Sequence, residues 1–477
     1  MSLLDAEPLS PALFEALKAE IGRVVGAIGI LGRADIGDRH RRDWSGMSPG
    51  NPQLVVRPAT TDEVSAVMRL CHAAGQTVVL QGGMTGLVGS SVPRTGEIAL
   101  SLERMRAIED IDHGAGMVTV EAGAVVQAVQ EAVDAEGLFL PLDLGSRGSA
   151  TIGGVISTNA GGNRVIRYGM MRDMVVGLEV VMADGTVITS MRKTIKNNAG
   201  YDLRQLFIGS EGTLGIVTRA LLKLRPKPGC QPTAFCAVPD LDSAVALLRY
   251  LDRLNGGNIS AFEAMWPSFY EFVISQLDIV NPPLDHGHPL YLLIETTGAD
   301  QADALRFESA LSGAIDAGMV SDAVIAQSGA EVARFWDIRD GIGPASKGLQ
   351  PFRSFDLGFD SAVMTAFLLE LPHRLASVDP GCRIIEFGHV GDGNLHLLIG
   401  YDAADKSGPV IDQAVYDLTG HFSGSISAEH GIGIEKRPYL DRSRSSAEIQ
   451  IMQSIKAALD PKAILNRNRI FNPLISH

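Results

Sequence analysis

LQGGMTGLVGSSVP, residues 80–93, places four glycines in fourteen positions at the end of TVVL (77–80), which reads as a strand. Glycine tolerates positive φ and lets backbone approach a ligand closely. Consecutive unblocked N–H groups make concavities suited to phosphate. One such loop is explained as well by a tight turn. Two more follow: PLDLGSRGSATIGGVISTNAGGNRVIRYG (141–169) and LFIGSEGTLGIVT (206–218). Glycine totals 52 of 477 residues, about 11% against a usual ~7%. Its concentration in three loops within about 140 residues points to a phosphate-bearing cofactor. The first loop is not G-x-G-x-x-G within a strand–loop–helix unit, which argues against a Rossmann site. No G-x-x-x-x-G-K-[ST] occurs, which argues against a P-loop NTPase.

Outward from these loops the chain alternates. Ser10-Pro11 opens an amphipathic helix with Leu13, Phe14, Leu17, Ile21 and Val24 at helical spacing. LVVRP is a strand. TTDEVSAVMRLCHAAG is a helix with Val64, Val67, Met68 and Cys71 on one face, stopped by Gly75. MVTVEAG is a half-buried strand followed by a helix in AVVQAVQEAVDAEG. RPKPG (225–229) marks a boundary. Beyond it, strand, helix, strand and helix recur, predicting a second α+β domain with a sheet covered on one face. SAEIQIMQSIKAALDP is a final helix. The expected division is 1–52, an N-terminal helical segment; 53–227, a cofactor domain; 228–460, a substrate or cap domain; and 461–477, a returning C-terminal segment.

Bulk properties narrow the classes. Apolar content of 45% with 20% charged residues suits a chain with a large core. A net charge of −14 without a basic block disfavours nucleic acid and acidic membranes as partners. No apolar run is long enough for a transmembrane helix. The acidic start does not read as a signal peptide. Cys71, Cys230, Cys236 and Cys382 form no CxxC, and reduced thiols in a cytoplasmic protein are the expectation.

GHVGDGNLH (388–396) sets two histidines around an Asp-Gly turn. FGHV and LHLLI read as strands, and a hairpin centred on the turn pairs Val390 with Leu395 and His389 with His396. Opposed residues share a face, so the two imidazoles could share a metal. They could equally end a hairpin in solvent. SAEHGIG (427–433) has Glu429 and His430 among glycines, a pair that by itself reads as a surface loop. Imidazole with carboxylate suits Zn²⁺, with Mn²⁺ or Fe²⁺ as alternatives.

PATTDEV, QGGMTGLVG, TIGGVISTNAGG and GSEGTLGIVT together resemble the flavin-binding domain of the vanillyl-alcohol oxidase and p-cresol methylhydroxylase superfamily. GHVGDGNLH, SISAEHGIG and LDPKAILN resemble its branch of D-lactate dehydrogenase, glycolate oxidase D-type subunit and D-2-hydroxyglutarate dehydrogenase. The resemblance implies an α+β fold: a two-part flavin domain of the p-cresol methylhydroxylase type and an α+β cap with an antiparallel sheet. It implies FAD, with Gly82, Gly83, Met84, Thr85 and Gly86 around the pyrophosphate. Pro141, Ser146, Gly148, Ile152, Gly153, Asn159, Ala160 and Gly161 would line the flavin side. Glu211, Gly212 and Ile216 would hold the adenine end, with Asn466 reaching back. Some members tether flavin through a histidine in the first loop. Met84 stands in that neighbourhood, so noncovalent FAD is expected.

By the same resemblance His389, His396 and Glu429 hold a divalent metal, His430 is the catalytic base that also meets substrate, and Arg339 in FWDIRDGIG binds the substrate carboxylate. The implied activity is FAD-dependent oxidation of a D-2-hydroxy acid to the 2-oxo acid. The acceptor would be an electron-transfer flavoprotein, a quinone or a cytochrome, and the resemblance allows a homodimer. An O₂-using oxidase, an electron-transfer subunit and an alkyl-glycerone-phosphate synthase stay open as alternatives. For the last, the C-terminal ISH is not the peroxisomal S-K-L. D-2-hydroxyglutarate dehydrogenases carry a lysine before the aromatic-Asp-Leu motif; RSFDLGFD has Ser354 there, with Arg353 before it. Their asparagine two residues past the second hairpin histidine is Leu398, and their threonine four past the substrate arginine is Gly343. These departures predict a monocarboxylate such as D-lactate rather than D-2-hydroxyglutarate.

Overall fold

Local sequence builds the first unit through two sheets. The computed structural model describes residues 9–402 and 407–471, so the C-terminal ISH lies outside the described residues. The first unit comprises the chain to Gly161, Met170–Lys227 and the segment from Glu429 onward. Strands Val55–Val56, Ile98–Ser101 and Val78–Gln81 run parallel, with Ile30–Leu31 antiparallel at the edge. Helix Thr61–Ala74 makes a crossover. Thr60 caps it by accepting the Glu63 N–H, Gly75 ends it at φ +69°, and Val64, Val67, Met68 and Cys71 are buried on the face read from sequence. The second sheet is antiparallel, in the order 108–112, 117–121, 216–223, 175–181 and 187–189. This mixed architecture is the α+β class expected above.

The second unit comprises Gly162–Gly169 and Pro228–Ala428. Its seven strands are all antiparallel. Their order is Asp322–Ile325, Thr233–Val238, Leu290–Thr296, Ile259–Met265, Arg383–Gly388, Asn394–Gly400 and Phe352–Gly358. The expectation of a sheet covered on one face is corrected. Residues 233–238, 259–265, 290–296 and 394–400 are buried at every position, so both faces are covered. Near-continuous apolar runs such as LYLLIET record this better than alternation does. On one face, Met265, Leu293, Phe387 and Leu398 join an apolar cluster with Phe269 and Val273 of helix Pro267–Gln276 and Phe335 and Ile338 of helix Gly329–Asp340.

The chain leaves the second unit at Ala428, whereas the expected division kept residues to 460 there. Long-range polar contacts account for the difference. The N–H groups of Ile432 and Gly433 bind the Glu211 carboxylate at 2.7 and 2.9 Å. Helix Ser446–Leu459 presents Lys456, whose ammonium donates to the carbonyls of Thr213 at 2.7 Å and Leu465 at 2.9 Å. Residues 162–169 likewise join the second unit. There Arg164 pairs with Glu295 at 3.0 Å, and Arg167 donates to the carbonyls of Asn258 and Thr297.

Candidate active site

The first glycine loop follows directly from strand Val78–Gln81. Among the described residues, the N–H groups of Gly82, Gly83, Met84, Thr85 and Gly86 donate to no protein acceptor. Met84 adopts φ +58°, which curls the loop so that successive donors can converge. A Cβ on Gly83 would stand 2.1 Å from the Ser149 carbonyl oxygen, so this position must be glycine for the first two glycine loops to touch. The loops line a cavity of about 380 Å³ in the first unit.

Of the residues expected around FAD, Gly82, Gly83, Met84, Thr85, Gly86, Ser146, Gly153, Ala160, Gly161, Glu211, Gly212, Ile216 and Asn466 line this cavity. Glu429 and His430 line it too. Among the described residues the Thr151 hydroxyl, also at its wall, is buried without a hydrogen-bond partner, an arrangement suited to a polar ligand. Unbonded donors, an orphaned hydroxyl and close-packed glycines fit a pyrophosphate-bearing cofactor.

Pro141, Gly148, Ile152 and Asn159 are not among the lining residues. Pro141 lies between carbonyls held by the Gln130 amide. Gly148 faces the Gln127 side chain instead. Ile152 is buried and donates its N–H to Ala124. Asn159 ends helix Ile152–Thr158 at φ +50° and accepts the Arg172 N–H at 2.9 Å. Glu211 and Asn466 line the cavity, but their side chains are engaged within the protein. Glu211 accepts from Ser90, Ile432 and Gly433. Burial pushes its carboxyl above the usual range against the lowering effect of these bonds. Asn466 accepts from Leu80 N–H at 2.8 Å and donates to the Glu211 carbonyl at 2.6 Å. Trp44 lines the cavity and donates its N–H to Gly86; its loop gave no sequence signal of this.

In the second unit the hairpin departs from the expected register. Phe387, not His389, faces His396, and the His389 carbonyl accepts the N–H groups of Asp392 and Asn394 around residues 390–393. The shift is two residues, so side-chain parity is preserved. The rings of His389 and His396 still lie 5.1 Å apart between centroids, at 85°. Asp356 pairs with His396 across the neighbouring strand. Its carboxylate stands 3.8 Å from His396 Nδ1, too long for a hydrogen bond, and accepts from the Asn394 amide at 2.8 Å.

Glu263 was not singled out from sequence. It is fully buried in strand Ile259–Met265 and accepts from Arg339 Nε at 2.8 Å and from His389 Nδ1 at 2.7 Å. Burial alone would raise its carboxyl. The charges of His389 and Arg339 and their hydrogen bonds outweigh that, holding it below the usual range. An ionised carboxylate only accepts, so His389 donates from Nδ1 in either protonation state, and its neutral form carries the lone pair on Nε2. Two imidazoles on one face, one oriented by a carboxylate, fit a divalent metal. Arg339 is only 5% exposed and its guanidinium carbon lies 5.0 Å from the Phe387 ring centre. Among the described residues, its Nη groups make no hydrogen bond within the protein.

Comparison with known proteins now fixes the family. Residues 52–190 match the FAD binding domain, and residues 227–470 match the C-terminal domain of FAD linked oxidases. This chain belongs to the FAD-linked oxidase family. It is a flavin-dependent oxidoreductase of the D-2-hydroxyacid dehydrogenase branch. It is 40% identical over 450 residues to a probable mitochondrial D-2-hydroxyglutarate dehydrogenase of Oryza sativa subsp. indica, covering 94% of this chain and 80% of that one. It is 35% identical to a D-2-hydroxyglutarate dehydrogenase of Stutzerimonas stutzeri, covering 97% and 99%. A p-cresol methylhydroxylase structure superposes with a TM-score of 0.80 at 14% identity, covering 98% of both chains and showing the shared fold. No helix among the described residues is long and apolar enough to cross a membrane, and the four cysteines are free.

Proposed function

We propose that this FAD-linked oxidase oxidises a D-2-hydroxy monocarboxylate, such as D-lactate, to its 2-oxo acid. The metal would be held by His389 and His396 with Glu429, and His430 would be the base. The assignment of Glu429 is supported by chain continuity: the preceding Ala428 approaches the Asp356 carbonyl at 3.4 Å, on the strand residue paired with His396. Arg339 would take the substrate carboxylate on its Nη edge, a planar fork matched to two oxygens. His430 would accept the hydroxyl proton as the α-hydrogen leaves with its electron pair. Bound FAD supplies the acceptor for those two electrons. A bound divalent ion supplies Lewis acidity toward the hydroxyl oxygen.

The monocarboxylate preference is carried by Arg353, the cation next in sequence to the position where the related enzymes have lysine. Arg353 is bidentate to Asp412 of helix Gly408–His421, with Nε at 2.6 Å. Ser354 and Leu398 are directly paired across strands and share a face with His396. Arg353, adjacent to Ser354, points to the other face. Leu398 belongs to the apolar cluster. A second carboxylate there would be buried without a partner, which is costly.

D-2-hydroxyglutarate is a second reading, favoured by the names of the relatives. Anaerobic flavin bleaching with D- and L-2-hydroxy acids, followed by kcat/KM for D-lactate, D-2-hydroxybutyrate and D-2-hydroxyglutarate, separates the two. Preference for the dicarboxylate would overturn the first reading. Rapid reoxidation of the bleached flavin by O₂ would replace dehydrogenase with oxidase.

A further inference from the structure

We infer that Glu263 is a positioning residue that sets the substrate-binding arginine and a metal-binding histidine together, taking Arg339 and His389 in the roles proposed above. It is the single acid in ISAFEAM, a strand buried along its whole length. Its two oxygens are divided between two elements. Oε2 takes Arg339 from the last turn of helix Gly329–Asp340, and Oε1 takes His389 at the mouth of the hairpin. A purely structural ion pair needs one cation. Here the carboxylate engages only the Nε of the guanidinium, so the bidentate Nη edge remains for a ligand. On the imidazole it engages Nδ1, so the neutral ring keeps its lone pair on Nε2. One buried group thus fixes the rotation of Arg339 and the tautomer of His389.

Glutamine has nearly the same shape but cannot do both. Its single amide oxygen can accept from Arg339 Nε or from His389 Nδ1. The NH₂ group then meets the other donor head-on, unless His389 moves its proton to Nε2 and loses the lone pair a metal needs. Loss of such an orienting partner typically weakens metal binding about 10–100-fold.

The test uses the full-length flavoprotein, stripped of metal by chelation. Zn²⁺ is titrated by calorimetry into wild type, Glu263→Gln and His389→Ala, and KM and kcat are measured with D-lactate and D-2-hydroxyglutarate. Glu263→Gln is expected to keep full FAD content. It should bind Zn²⁺ about 10–100-fold more weakly, with KM for the better acid raised at least about tenfold. Zn²⁺ affinity and KM both at wild-type values would overturn the inference while leaving the site reading intact. Wild type binding no Zn²⁺ would remove the metal reading and this inference with it. Should Glu263→Gln fail to fold, ¹⁵N-histidine spectra of metal-free wild type decide. In the neutral ring, Nδ1 protonation of His389 supports the inference, and Nε2 protonation overturns it.

Discussion

Replacing Arg339 by methionine should damage stability and substrate affinity by separable amounts. The side chain is buried, and its Nε lies 2.8 Å from a carboxylate that is itself fully buried. Removing one partner of a buried pair costs about 3–5 kcal/mol, because the remaining charge loses its compensation. His389 retains part of that compensation, so the lower end is expected. In a unit of roughly 200 residues each kcal/mol lowers Tm by about 2–4 °C, so about 3 kcal/mol gives a fall of roughly 6–12 °C. Separately, a lost charged hydrogen bond to substrate of about 1.5–3 kcal/mol raises KM about 10–150-fold. Arg339→Lys separates the effects. Its ammonium can stay beside Glu263 and spare most of the stability, but it cannot also present a fork, so the KM defect persists. Calorimetry and dye-linked kinetics on both variants provide the assay. Arg339→Met with Tm within about 2 °C of wild type and an unchanged KM would refute both the ion-pair argument and the substrate role.

Gly83→Ala sets a Cβ against the Ser149 carbonyl and should strip FAD from the purified protein. In wild type, acid precipitation should release all FAD, because Met84 offers no imidazole for a tether; flavin on the pellet contradicts this. His430→Asn should keep FAD yet slow flavin reduction about 10²–10⁴-fold, and a loss under about threefold would remove it from the mechanism. The folded Glu263 carboxyl is held below its ordinary 4.5, so its contribution is complete above that value and lost as pH falls through the lower folded value. The acid-side decline of Tm should therefore be shallower in Glu263→Gln, and parallel melting profiles would contradict this sign.

Much of this was legible in the chain because the requirements are local. A backbone that must touch another backbone needs glycine, and that need is written at Gly83 itself. The hairpin histidines were readable for a subtler reason. Turn chemistry left the register open by two residues, but strand parity has a period of two, so the shared face survived the error. Arg353 illustrates the same rule. Alternation alone sets it apart from Ser354, although only Asp412 shows where its charge goes.

Within the cavity, neighbouring residues of one motif separated. Gly153 and Ala160 line the wall while Ile152 and Asn159 serve the helix they bound, a distinction set by helical phase and packing. Glu263 marks the limit most clearly. Its partners lie 76 and 126 residues away along the chain, and nothing local names them. The sequence by itself determined the mixed α and β class and the three glycine loops, because each is dictated by backbone sterics or by the periodicity of a single element, while the residues of the chemistry came from the resemblance of whole motifs. Tertiary structure alone decided which carboxylate orients which cation. A buried charge is tolerated only where distant elements converge to compensate it, and that convergence exists only in the folded chain.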